Sequence, residues 1–213
     1  TSGVQTYLEP FCGACNVTAL VRAKRRIASD LHPDLIMMWD AVQHGKLSFP
    51  QAISLQEYKR LSEEPPSALR GFVGFAQGFG GKFFGTFSRG RRGSGDEQSL
   101  IYLNRGAGVI RSKALAMATV EFKYCSYLDW HPKNWVVYCD PPYQDVAGYT
   151  LGDFDHDQFW ETMRTWSTSN KVFISEYRAP EDFKSIWSQD VCQTVSSNSD
   201  KRRYVTEHLF VHA

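Results

Sequence analysis

Six consecutive residues, Tyr138-Cys139-Asp140-Pro141-Pro142-Tyr143, set a carboxylate, two prolines and a phenol ring directly after the apolar run Trp135-Val136-Val137. The prolines hold φ near about −65° and remove two amide donors, so this backbone cannot pair into a sheet and its carbonyls face outward. The product is a rigid acceptor shelf between Asp140 and Tyr143. Such a shelf suits a flat heterocycle bearing an amino group, held by stacking and by hydrogen bonds to its NH2. An ordinary Pro-rich turn has the same composition, and the choice depends on what the rest of the chain brings to it.

A second group opens the chain. Gln5-Thr6-Tyr7-Leu8 reads as a short strand running into Glu9-Pro10-Phe11-Cys12-Gly13. A helix is expected from Asn16 to the cations Arg22, Lys24, Arg25 and Arg26, and then a strand, Ile27-Ala28-Ser29, closed by Asp30. Strand, small-residue turn, helix and acid-ended strand is the arrangement that binds an adenosine: Gly13 permits close approach and Asp30 takes the ribose hydroxyls. Glu9-Pro10 in place of a Gly-rich cradle disfavours a pyrophosphate and suits a cationic neighbourhood. A glycine needed only for packing is the plainer alternative.

A third stretch, residues 71 to 95, is dense in Gly and Phe and carries Lys82, Arg89, Arg91 and Arg92 without an acid between them. Glycine lets backbone lie close to a partner and the cations neutralise phosphates, so this is the expected nucleic-acid surface. The competing reading is a solvated hairpin whose phenylalanines are core. Cys12-x-x-Cys15 has no second Cys/His pair at metal spacing, and the six histidines share no pattern, so surface or capping roles are expected for them and no metal.

The elements between these groups follow from periodicity. Pro33 opens a helix with Leu35, Ile36, Trp39 and Val42 on one face, stopped at Gly45. Ser54 and Glu57 form a capping box for a helix ended by Pro65-Pro66. Residues 99 to 119 read as helical, Val120 to Cys125 as a strand, and Asp155 as the cap of a helix burying Phe159, Trp160, Met163 and Trp166. Lys171 to Ile174 is a strand, Pro180 is expected to begin a helix, and Val191 to Val195 pairs with Tyr204 to Val211 as a closing hairpin. Alternating β and α before a final hairpin implies a mixed α/β sheet, mostly parallel with an antiparallel end.

With 213 residues and 42% hydrophobic content, one domain with an insertion is expected. A net charge of +1 leaves any polyanion surface to a local patch. Apolar runs fall short of the roughly 18 residues of a membrane span, and the five cysteines read as reduced thiols of a cytoplasmic protein.

Taken together, these residues resemble the Dam-like, DPPY-type adenine-N6 DNA methyltransferases. Tyr7 to Gly13 looks like the group's first S-adenosylmethionine motif, Ser29 to Ile36 like its second, Cys125 to Asp129 like the segment before the catalytic strand, and Asp140 to Tyr143 like the catalytic motif. The order matches the alpha subgroup, in which the cofactor half comes first and a target-recognition insert lies between.

The resemblance implies a seven-stranded, Rossmann-like S-adenosylmethionine-dependent fold. It implies a catalytic domain over residues 1–44 and 96–213 and a mainly helical and loop insert over 45–95. Glu9, Pro10, Phe11 and Gly13 then pass beneath the methionine part of the cofactor, Asp30 binds the ribose, and Ser126 and Tyr127 lie near the cofactor's adenine. Asp140 and the carbonyl of Pro141 accept from the target amine, with Pro142 stiffening the turn and Tyr143 stacking on the flipped base. Lys82, Arg89, Arg91 and Arg92 contact double-stranded DNA. The expected protein is a monomer in a bacterial or phage-infected cell, with neither metal nor membrane. Two alternatives stay open: a DNA-binding module without catalysis, and methyl transfer to RNA adenine or a protein amide. Members of the group carry a Gly- and Lys-containing element ahead of the first strand; this sequence starts at Thr1, almost at that strand, so such an element is either absent or outside it.

Overall fold

In a computed structural model that describes residues 4–78, 82–88, 95–144, 154–194 and 202–213, the apolar runs become seven strands of one sheet. They are β1 (Thr6–Glu9), β2 (Arg25–Asp30), β3 (Val120–Tyr124), β4 (Val136–Cys139), β5 (Lys171–Glu176), β6 (Phe183–Thr194) and β7 (Arg202–His212). Their order is β3-β2-β1-β4-β5-β7-β6. The first five are parallel, whereas β7 is antiparallel to both neighbours. The mixed α/β sheet expected from the sequence is therefore the one observed. Its strand order reverses between β1 and β4, and open α/β sheets bind ligands at the carboxyl ends of strands beside such a reversal.

Helices cover both faces. On one side α1 (Pro33–Gln43), α2 (Leu55–Glu63), α3 (Ala68–Gln77) and α4 (Gly95–Met117) enclose Leu35, Trp39, Tyr58, Phe72, Leu103 and Met117. On the other, α5 (His156–Ser167) lays Phe159, Trp160, Met163 and Trp166 over Leu8, Val137 and Ile174. The capping box of α2 and the Asp155 cap of α5 form as expected. Trp39 is almost fully buried, so Trp39→Ala would cost about 3–5 kcal/mol through lost transfer energy and an unfilled cavity.

The helical segment between α1 and α4 shares their core. A Cβ on Gly71 would stand 2.3 Å from the Asp34 carbonyl oxygen, so only glycine lets α3 lie this close to α1. Arg70 reinforces the contact, donating to Asp34 at 2.5 Å and to the Leu61 and Ser62 carbonyls. A Cβ on Gly74 would meet the Phe83 ring at 2.5 Å, and Phe87 belongs to the same core. Within residues 71–88, these glycines and phenylalanines are thus used for internal packing, not for close approach of a partner.

Three local expectations are corrected. No regular helix spans residues 16–26; the chain makes successive turns over 16–20 and enters β2 at Arg25. Cys15, just ahead of the segment, sits at φ 53°, and Arg25 and Arg26 belong to β2, where Arg25 makes a bidentate pair with Glu121 across to β3. Asn16 is not a helix cap; its side-chain oxygen accepts from Lys113. Nor does a helix begin at Pro180: a single turn is followed directly by β6, drawn into extended form by its register with β7. Finally, His32 is buried, packed edge-on against Phe75 and Phe83 and 3.8 Å from Asp34.

Candidate active site

Two of the three sequence groups, the turn after β1 with Asp30 and the turn after β4, meet at one edge of the sheet. β1 ends in Glu9 and β4 runs into Asp140, on adjacent strands at the shared carboxyl edge; Asp30 ends β2 one strand further. The turn after β1 is held by the chain itself. Cys12 donates its amide to the Ser29 carbonyl at 2.9 Å, and Trp39 donates its indole N–H to the Gly13 carbonyl at 3.0 Å. Gly13 adopts φ 44°, a conformation that side chains disfavour, and nothing lies within 4 Å of where its Cβ would be. Among the described residues, the space at that position is open.

Asp30 is oriented by backbone donors. Gly13 N–H reaches one carboxylate oxygen at 3.1 Å and His32 N–H the other at 3.0 Å. Burial pushes its carboxyl up, while these amides work in the opposite sense. Glu9 is more deeply enclosed. Tyr7 and Thr18 both donate to its Oε2, at 2.7 Å and 2.5 Å. Burial nevertheless raises its carboxyl to about 7, and the charge of Asp140 adds to the rise. Of the other residues expected here, Pro10 is buried, Phe11 is half-buried, and Tyr127 lies in the second core with its ring 5.2 Å from that of Phe11. Ser126 caps the short turn Tyr127–Asp129, accepting from the Leu128 amide at 3.2 Å.

At the turn after β4, Pro141 is buried while Asp140 keeps solvent contact. Partial enclosure pushes the Asp140 carboxyl up to about 6; a hydrogen bond with Tyr143 pulls it down, and the nearby charges of Glu207 and Glu176 push it up. Tyr143 is pinned. Its hydroxyl lies 2.6 Å from Ser175 Oγ and donates to Glu207 Oε1 at 2.9 Å, and its ring meets Tyr177 edge-on at 4.5 Å. Ser175 also donates to Glu207 at 2.7 Å. Glu176 anchors the far side of the turn, accepting from the Gln144 amide at 2.7 Å.

Glu207 and Ser175 are the residues that sequence reasoning missed as parts of this site. Glu207 has no motif around it, and its place depends on the register that sets His208 of β7 opposite Glu176 of β5. Of the cations expected to touch DNA, Lys82 is exposed, and Arg89, Arg91 and Arg92 lie outside the described residues. Cys12 and Cys15 are buried in the first core, and no group of three metal-ligating side chains occurs among the described residues.

Glu9, Asp140, Glu176 and Glu207 make this an acidic edge, able to accept hydrogen bonds from an amine and to favour positive charge. Residues 1–67, which hold β1, β2, α1 and α2, match the family described as D12 class N6 adenine-specific DNA methyltransferase. No curated protein matches the chain. Among solved structures, two of the rRNA methyltransferase aviRa from Streptomyces viridochromogenes are similar over 100% of this chain and 78% of that one. Their identities are 14% and 13% and their TM-scores 0.38 and 0.40. The sheet observed is mixed and seven-stranded, as the sequence resemblance implies.

Proposed function

We propose that this protein transfers the methyl group of S-adenosylmethionine to the exocyclic N6 amine of adenine in DNA, directly and in line, onto a base flipped out of the duplex. The observation that carries the proposal is the rigid Asp140-Pro141-Pro142-Tyr143 turn beside the reversal of strand order, with Glu9 and Asp30 on the same edge. The D12 match over residues 1–67 supports the adenine target.

The edge fits the cofactor. Among the described residues nothing lies within 4 Å of a Cβ at Gly13, Asp30, held by two amides, is proposed to take the ribose, and buried Glu9 supplies the acidic surroundings that a sulfonium favours. When bound, S-adenosylmethionine supplies an electrophilic methyl. The chain's own residues do the rest. Adenine N6 is a poor nucleophile because its lone pair is delocalised into the ring. Ionised Asp140 and the Pro141 carbonyl, by accepting from its two N–H groups, favour a pyramidal nitrogen whose lone pair is localised for attack. The proton is lost easily once nitrogen bears positive charge, so no strong base is needed. Tyr143, with its ring fixed by Ser175, Glu207 and Tyr177, offers a preset face for stacking that offsets part of the few kcal/mol of unstacking.

Lys82, Arg89, Arg91 and Arg92 are proposed to hold the phosphates. The test is transfer of tritiated methyl from S-adenosylmethionine to duplex DNA, RNA and protein offered in parallel. Label entering DNA adenine supports the reading; label confined to another acceptor ends it.

A further inference from the structure

Tyr143 has one hydroxyl proton and two carboxylates within its reach. It donates to Glu207 Oε1 at 2.9 Å, and the same hydroxyl makes the hydrogen bond with Asp140. Ser175 adds a second hydroxyl, 2.6 Å from the phenol oxygen and donating to Glu207 at 2.7 Å. A phenol carries a single donor, so a proton given to one carboxylate is withheld from the other.

The strands place Glu207 for this competition. Ser175 of β5 pairs with Leu209 of β7, and side chains two residues apart on a strand share a face, so Glu207 is the diagonal neighbour of Ser175. It lies past the last β5 pair, Glu176↔His208, and opposite Gln189 of β6. It is half-buried there, and its described partners are hydroxyls, not cations. A neutral acceptor would hold the Tyr143 ring as well. A carboxylate instead adds negative charge to an edge that already has Asp140 and Glu176, which is electrostatically unfavourable, so ring placement alone does not explain it. The other ionisable groups around it are the phenols of Tyr138 and Tyr143, and His156 of α5 faces Glu176.

We infer that Glu207 is a positioning residue for Asp140 and acts through Tyr143: it draws the phenolic proton to itself and so leaves the Asp140 oxygens free to accept from the target amine. The inference rests on the proposed transfer to an amine held at Asp140. With the charge of Glu207 removed, Tyr143 donates to Asp140, fills one of its lone pairs and weakens it as an acceptor. Loss of the neighbouring negative charge also makes Asp140 easier to ionise. Both effects move the ionisation of Asp140 to lower pH.

The test compares the full chain with its Glu207→Gln, Tyr143→Phe and double variants. Glutamine keeps the shape and an acceptor oxygen, and phenylalanine keeps the stacking ring. Carboxyl-carbon NMR of the free chain should place the Asp140 midpoint at about 6 in wild type and lower by roughly half a unit or more in Glu207→Gln. With duplex DNA and S-adenosylmethionine, the acid limb of kcat/KM should shift in the same direction. The plateau kcat should fall about 3–10-fold, the scale of one hydrogen bond, with KM for S-adenosylmethionine unchanged. In the Tyr143→Phe background, adding Glu207→Gln should change kcat by less than about twofold, because the bridging proton is already gone. A rate loss without movement of the Asp140 midpoint, or an equal loss in both backgrounds, would overturn the inference and leave Glu207 as a prop for the ring. The underlying reading fails separately: an Asp140 midpoint that moves as expected in a chain that methylates no adenine refutes the proposed reaction and leaves the coupling standing.

Discussion

Asp30 and Asp140 are carboxylates on the same edge of the same sheet, two strands apart, and the chain treats them differently. Asp30 has each oxygen met by a backbone amide. It is fixed before anything binds, as suits a group that holds a constant part of a cofactor. Asp140 keeps solvent contact and is balanced between Tyr143, which favours its charge, and the neighbouring acids, which oppose it. In the proposed reaction, the acceptor capacity that Tyr143 leaves to it serves the target amine. Orientation by backbone makes a binding group, whereas an acceptor left open and electrostatically costly makes a reactive one.

This contrast can be broken at four points, taken from the largest expected effect downward. Asp140→Ala should lower methyl transfer by about a thousandfold, the scale of losing a preorganised charge-stabilising group, with cofactor affinity by calorimetry nearly unchanged. Asp30→Ala should do the reverse. Loss of hydrogen bonds to a charged group should weaken S-adenosylmethionine binding by about 10–100-fold, with turnover at saturating cofactor within a few-fold of wild type.

The pH dependence comes next. Asp140 must be ionised to accept from both N–H groups, and its carboxyl is pushed up to about 6. Transfer measured as kcat/KM should therefore rise about tenfold per unit below pH 6 and level off above it. A flat profile from pH 5 to 8, with chemistry rate-limiting, would detach Asp140 from the reaction.

Glu9 supplies the smallest effect and one of opposite kind. Its carboxyl is raised to about 7, so the folded chain holds that proton more tightly than the unfolded chain does. The associated stabilisation is complete below the ordinary carboxylate range and is lost as pH rises through about 7, a change of roughly 3 kcal/mol at most. Denaturant unfolding at pH 5 and pH 8 should show that decline, and Glu9→Gln should flatten it. Cofactor affinity should fall in the same variant, because the negative charge facing the sulfonium is gone.

Much of this was legible because local signals and tertiary structure agree. Caps at Ser54 and Asp155, the apolar faces of α1 and α5, and the strand before Asp140 all carry their signals within a few residues. What escaped depends on distant partners. The cations of Arg25 and Arg26 look like a helix end until Glu121 is placed beside them on β3. Pro180-Glu181-Asp182 resembles a helix start until β7 is laid along the residues that follow it. Gly71 looked like a residue for meeting a partner and instead meets Asp34. In the candidate site, Asp140 and Tyr143 were visible as a rigid shelf. The Ser175 and Glu207 contacts that fix the Tyr143 ring were not, because strand register is not written beside them.

The most direct measurement is the identity of the methylated atom. Duplex DNA incubated with the protein and S-adenosylmethionine, then digested to nucleosides and resolved by mass, should yield N6-methyldeoxyadenosine with wild type and none above background with Asp140→Ala. A chain that binds the cofactor yet leaves adenine unmodified, or places the methyl on a ring atom, would contradict the account.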